Sequence, residues 1–172
     1  AETITPYVGE ATKLFVYSVD TGAEIAGLAT TKKIYVRAGT TLFDITPIRV
    51  TYTTSTTPST DNCFTTNTTV GTEGQVLVTL ASHGAETGDF VTFTGATAVG
   101  GITAPQLNLE FEVTVLGGNT FTIQTAGTAT GVATGGGTSI TAAFQINIGA
   151  DTSVAGYGWS AGTWSRGVWG GS

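Results

Sequence analysis

The sequence predicts an all-β chain in three joined parts: propeller-blade-like or meander strands, an inserted small β-barrel, and an irregular Trp/Gly-rich C-terminal strap. Three observations carry this expectation. Thr supplies about one residue in five, and its β-branched side chain suits a half-buried pleated surface. The 25 Gly residues include those between short apolar runs, where they serve turns. Beyond Gln75, apolar and polar residues alternate with a period of two, the pattern of strands with one buried face.

Residues 1–52 are expected to form the blade-like strands. Leu14-Phe15-Val16-Tyr17 is a short apolar run followed by the turn signal Asp20-Thr21-Gly22. Lys33-Ile34-Tyr35-Val36 is a second run, closed by Arg37-Ala38-Gly39-Thr40. Leu42-Phe43-Asp44-Ile45 leads to Pro47, and Ile48-Arg49-Val50-Thr51-Tyr52 resumes as a strand. Short strands at spacings near ten, joined by Gly turns, suggest a meander, either one propeller blade or a sandwich edge.

Residues 53–74 are Ser/Thr-rich over much of their length and read as a linker or long loop. Asn67-Thr68-Thr69 within them matches a glycosylation sequon, a pattern frequent by chance. Residues 75–142 are expected to be the inserted small barrel. Val91 and Phe93 face one way, with Phe90 and Thr92 on the solvent side. Leu109, Phe111, Val113 and Val115 share one face, opposite Glu110, Glu112 and Thr114. Phe121 and Ile123 oppose Thr120, Thr122 and Gln124. Gly117-Gly118-Asn119 suits the positive φ angles of a tight hairpin. Thr125 to Thr138 has almost no large side chains and reads as a flexible loop or a segment lying against other chains.

Residues 143–172 hold a returning strand, Phe144-Gln145-Ile146-Asn147-Ile148, and then the strap. Trp159, Trp164 and Trp169 recur at a spacing of five, which fits neither helix nor strand. Aromatic residues at that density mark a contact surface. The strap reading docks them on this protein or a neighbouring subunit, with Arg166 stacked on an indole. The other reading makes them a sugar-stacking platform.

Composition excludes several function classes. Charged residues are 10% of the chain, with 12 acidic against 6 basic, for a net charge of -6. The basic residues are scattered, with Lys32-Lys33 the one adjacent pair, so no basic track for nucleic acid is expected. Cys63 is the single cysteine, which excludes an internal disulfide framework and a cysteine-based zinc site. No run approaches the ~18 apolar residues of a membrane span, and no signal-peptide pattern opens the chain. Met is absent and Ala stands first, as expected of a removed start Met or of a piece of a longer chain.

No catalytic residue, metal ligand or cofactor is expected. His83 has Ser82, Glu86 and Asp89 nearby, but adjacent strand residues point to opposite faces and no nucleophile elbow is present. Its expected role is hydrogen bonding to backbone at a turn. Glu110 and Glu112 lie on one strand face about 6.6 Å apart, within the range of paired glycosidase carboxylates. On a solvent face alternating with Thr, edge protection is the expectation. Cys63 sits among polar neighbours with no base nearby in sequence, a weak setting for a nucleophile.

Two resemblances extend this reading. His83-Gly84-x-x-Thr87-Gly88-Asp89-Phe90-Val91-x-Phe93, with Thr120-Phe121-Thr122-Ile123, resembles the small β-barrel insert of ubiquitin-activating enzymes. No nucleotide-binding Gly-rich strand-turn-helix accompanies it, so the resemblance implies a barrel and not an activity. More of the chain is similar to an internal stretch of a large structural protein of tailed bacteriophages. Leu42-Phe43-Asp44-Ile45-Thr46-Pro47-Ile48-Arg49, the barrel segment, Phe144-Gln145-Ile146-Asn147-Ile148-Gly149 and Gly158-Trp159-x-Ala161-Gly162-Thr163-Trp164-x-Arg166-Gly167-x-Trp169-Gly170 carry it, in that order. It implies a propeller-bearing tail protein, with Lys33 to Ile45 as blade strands and Thr53 to Ala142 inserted between them. The chain departs from the family by lacking the preceding and following blades.

The expectation is therefore a non-enzymatic virion protein, a nozzle or hub component of a phage tail. It would assemble as a ring-like homo-oligomer and touch other tail or connector proteins. Phe90, Glu110, Glu112, Trp159, Trp164, Arg166 and Trp169 are the expected contact residues. The alternative is a carbohydrate-binding or host-adhesion module holding a host surface glycan on its exposed Trp residues.

Overall fold

The computed structural model describes residues 7–18 and 24–146, which form three antiparallel sheets and one turn of helix. The strap lies outside the described residues. The chain divides into two compact units, the boundary falling after Ile45.

The first unit is a meander of β1 (Ala11–Ser18), β2 (Glu24–Thr30), β3 (Ile34–Ala38) and β4 (Thr41–Asp44), paired in chain order. The β2–β3 turn is held by Thr30, whose Oγ1 accepts the Lys33 N–H at 2.8 Å and donates to the Val8 carbonyl at 2.7 Å. Gly39, at φ 60°, opens the two-residue β3–β4 turn with the left-handed conformation such a turn requires. Lys33 is buried, with its Nζ 2.7 Å from Asp44 Oδ2. Lys33 is the desolvated partner of the pair, while Asp44 lies at the surface.

The second unit, Thr46–Asn147, is two sheets packed face to face. One runs in the order β10 (Thr114–Gly117), β11 (Thr120–Gln124), β7 (Gln75–Thr79), β6 (Phe64–Thr66), β12 (Thr134–Gly135). The other runs β5 (Ile48–Thr53), β13 (Thr141–Gln145), β8 (Phe90–Thr94), β9 (Glu110–Glu112). Their inner faces carry Phe64, Val76, Val78, Phe121 and Ile123 on one side, and Val91, Phe93, Phe111, Ala142 and Phe144 on the other. Two edge-on aromatic pairs join the layers: Phe64 with Phe93 at 4.9 Å between centroids, and Phe121 with Phe144 at 5.7 Å.

Val113 is the corner between the sheets. It is fully buried, its N–H donates to Asp89 O at 2.8 Å, and its carbonyl accepts from Gly88 N at 2.9 Å. The chain thereby passes from β9 in one sheet to β10 in the other. The sheets nevertheless remain open: among the described residues neither a closed barrel nor a set of propeller blades is formed. The helix α1 (Ala104–Leu107) is a single turn, with Gln106 Oε1 accepting the Thr103 N–H at 2.9 Å. At Gly95, φ 76°, a side chain would strike the carbonyl of Ser139, which brings the end of β8 against the approach to β13.

Four local expectations change. Residues 53–74 are not merely connective: they supply β6 and bury Cys63 and Phe64 in the core. Thr125 to Thr138 packs on its own unit, with Ala129 N bonded to Glu73 O at 3.0 Å, Thr130 N to Gly100 O at 2.8 Å, and β12 paired with β6. Leu109 is half exposed because β9 starts one residue later, so it precedes the buried alternation. The β10–β11 hairpin closes with a register shift between Val115 and Gly117, and Gly117, Gly118 and Asn119 do not adopt left-handed φ values.

Phe64, on a three-residue strand, joins the two sheets through its edge-on contact with Phe93. Phe64→Ala should destabilise the chain by about 3–5 kcal/mol, read as a lower midpoint in chemical denaturation. Phe15→Ala, on the exposed β1, should leave the unfolding of the second unit unchanged.

Candidate interaction surface

The first unit presents an unusual surface for reasons visible in its register. Four consecutive apolar residues on a strand necessarily place two on each sheet face. Leu14 and Val16 fall on one face, in rows with Leu28 and Ala26. Phe15 and Tyr17 fall on the other, in rows with Gly27 and Ile25, and the Phe15 row continues through Val36 to Phe43. None of the four is covered: Leu14 is 65% exposed, Phe15 58%, Val16 63% and Tyr17 51%. Phe43 is exposed as well. Because β1 is at the end of the sheet order, no further described strand borders its outer edge.

One part of the Leu14 face is closed. Residues 7–10 run against the β2–β3 turn, with the Val8 N–H donating to Tyr35 Oη at 3.0 Å and the Thr31 N–H donating to Glu10 O at 2.8 Å. Tyr35 is buried. The apolar exposure is therefore concentrated at β1 and on the Phe15 face.

The expected contact residues are distributed differently. Glu110 and Glu112 are exposed on β9, the edge strand of its sheet, with Phe111 buried between them. Phe90 is not on the solvent side: it is 8% exposed. It opens β8, an internal strand paired with β13 and β9, and it sits opposite Glu112. Alternation fixes which way Phe90 points but not whether that side is covered. Trp159, Trp164, Arg166 and Trp169 lie outside the described residues. The Leu14–Tyr17 surface was missed as a site, although its signal was present, since an uninterrupted apolar run in a strand means two apolar faces.

His83 is a core residue. Its Nδ1 accepts the Ala85 N–H at 3.0 Å, which leaves the proton on Nε2 for donation to the Gly117 carbonyl at 3.0 Å. The ring packs edge-on to Phe121, with centroids 5.1 Å apart, and lies nearly parallel to Phe144. Both nitrogens are committed to backbone, so the imidazole ties the 82–85 turn to the β10–β11 hairpin. Cys63 lies in the apolar core and not in a polar setting. Burial pushes its thiol up from 9.0 to about 12, with Asp61 adding a smaller push and a backbone hydrogen bond opposing both. Asn67 folds onto its own loop, donating to the Thr72 and Gln75 carbonyls and accepting from the Thr69 N–H, so its amide is engaged.

Among the described residues no group of three or more His, Cys, Asp or Glu is placed to hold a metal ion. No described helix is long and apolar enough to cross a membrane. No family model matches the chain, and no curated protein matches it. Among solved structures it is similar to a chain titled phage phi92 endosialidase, at 18% identity and a TM-score of 0.38. The match covers 77% of this chain and 19% of that one, so the chain spans about a fifth of its length. Two chains at that score need not share a fold.

Two outcomes follow from the buried groups. Cys63 should resist iodoacetamide at pH 8 in the folded chain and react fully in denaturant, as mass spectrometry would read. The folded thiol titrates above the unfolded one, so its contribution to stability holds below pH 9 and declines as pH rises from 9 toward 12. His83→Ala should cost at least about 2 kcal/mol, because the buried Ala85 N–H loses its acceptor and the ring packed against Phe121 leaves a void. Equilibrium denaturation would show it.

Proposed function

We propose that the chain is a structural component of a bacteriophage virion, in the nozzle or hub of the tail, and works by subunit assembly without a catalytic step. The observation that carries this reading is the exposed apolar run Leu14–Tyr17, with neither face of its strand covered. Scattered apolar residues on a surface are ordinary, but a contiguous patch on an ordered sheet marks a contact surface. The resemblance of the chain's order of sequence elements to that of tailed-phage structural proteins suggests a setting for that contact. In this reading the four-stranded meander is blade-like, as expected of a frame completed by further blades. The second unit, two open packed sheets, is the inserted module; its exposed Glu110 and Glu112 keep the β9 edge from strand pairing and leave carboxylates for polar contact with a neighbouring subunit or another tail or connector protein. The partners are other copies in a ring and adjoining tail proteins, and the location is the virion.

Mass photometry of the purified chain tests this directly. A single multimeric species, appearing as a ring or tube by electron microscopy, is the expected result. A monomer at every accessible concentration would count against it. Saturable quenching of Trp fluorescence by bacterial surface polysaccharide would instead favour a glycan-holding role.

A further inference from the structure

We infer that β1 is the seam of a head-to-tail ring of three or more copies, in which the Leu14/Val16 face of one chain packs on the Phe15/Tyr17/Phe43 face of the next. The inference rests on the self-assembly reading above and specifies its geometry.

The starting point is the two-sidedness of the strand. A sheet in a globular unit buries at least one face against a second layer. No second layer lies on the Phe15 face among the described residues, and the Leu14 face is closed only near Tyr35. A two-fold dimer is isologous: each copy offers the same patch, so it would cover one face and leave the other wet. A heterologous contact joins two different patches and repeats around an axis, so each copy has both faces covered. Of the simple symmetries, the ring matches what β1 displays.

Size points the same way. Four strands about 4.8 Å apart, with some six residues rising about 3.3 Å each, give a face of roughly 400 Å² in projection. A stable pair covers about 800 Å² on each partner. Each contact between neighbours engages one such face per copy and falls short of that alone, so a closed ring, in which every copy is held on both faces, covers about twice as much of each copy in all as a pair would.

Charge and shape identify the occupant as a second copy. Over residues 7–45 four basic residues balance four acidic ones, although the whole chain carries -6. Identical sheets can therefore stack there without the repulsion that the rest of the chain would impose. A strongly charged partner would find little net field to hold it. Gly27 lies in the middle of the Phe15–Phe43 row, and nothing comes within 4 Å of the position a Cβ would take. That gap between Phe15 and Val36 is a recess into which Leu14 or Val16 of the adjacent copy can seat.

The test uses the full chain and complementary variants. Leu14→Glu spoils one face and Phe15→Glu the other. Each alone should fall from the multimer to a single copy by native mass spectrometry, because every ring contact needs both faces. Mixed in equal amounts, they should form a 1:1 heterodimer and nothing larger, since one intact pair of faces remains. Gly27→Lys guards against a folding artefact: its side chain enters open space within the chain, so it should keep the wild-type circular dichroism while losing the multimer.

A wild-type multimer that survives all three variants would overturn the seam and leave the self-assembly reading standing. Wild-type two-fold dimers, or variants that become monomers without pairing when mixed, would overturn the head-to-tail arrangement. A monomeric wild type would overturn both readings, as would cover supplied by residues 147–172 of the same chain.

Discussion

A β-sheet has two faces and two edges, and apolar side chains on any of them remain in water unless something is laid over them. The two units answer that constraint differently. In the second unit, two sheets turn their inner faces toward each other, and the Phe64–Phe93 and Phe121–Phe144 pairs lock the layers together. The corner at Val113 lets one run of chain serve both sheets, so burial continues around the end of the layer. Among the described residues of the first unit, one sheet is held by main-chain pairing and the Lys33–Asp44 bridge, while β1 stays exposed along its length. Its register sets two apolar residues of β1 on each face, and that surface is available for association.

A chain with so few charged residues needs another way to satisfy the backbone of long loops, and Thr hydroxyls supply it. Thr60 donates to the carbonyl of Ile140, eighty residues away in sequence, and is fully buried. Thr66 donates to Gly131 O and accepts from Ala133 N, which pins the 125–138 segment to β6. Thr87 accepts the Val115 N–H across the turn before β8. Each such bond contributes little net energy, but an unmade one inside the fold would cost about 1–3 kcal/mol. That is why segments with almost no large side chains are nonetheless ordered: they are held through hydroxyls and backbone, not through apolar bulk. His83 performs the same task with an imidazole, bonding at both nitrogens.

This division explains what was legible in the sequence. Period-two alternation located the inward faces of β8, β9 and β11, since Val91, Phe93, Phe111, Phe121 and Ile123 are all core residues. The same alternation misplaced Phe90 and Leu109, because it encodes direction along a strand and carries nothing about what covers a face or where pairing begins. Compositional reading took 53–74 as connective tissue, yet Cys63 and Phe64 sit in a stretch that is otherwise hydroxyl-rich, and two buried side chains suffice to make a strand of it. Thr125 to Thr138 misled in the same way, since its anchors are hydrogen bonds from residues far away in sequence. At the candidate surface, the apolar run of β1 was plain in sequence; that it is uncovered on both sides depends on the tertiary arrangement and could not be read there.

The contrast between two edge strands of the chain carries the most functional weight. β9 is three residues long, and two of them are exposed Glu flanking a buried Phe111. Shortness and charge are the devices by which proteins keep sheet edges from pairing with one another. β1 is eight residues long, carries one charge, Lys13, and sets four apolar residues in succession on its edge. A chain that guards one edge with carboxylates and leaves another apolar has not simply failed at edge protection. The unguarded strand is also the one with both faces exposed, in the segment where acidic and basic residues balance. Length, lack of charge and double-sided exposure coincide on β1, and each of the three favours the same event, the approach of another sheet of like composition.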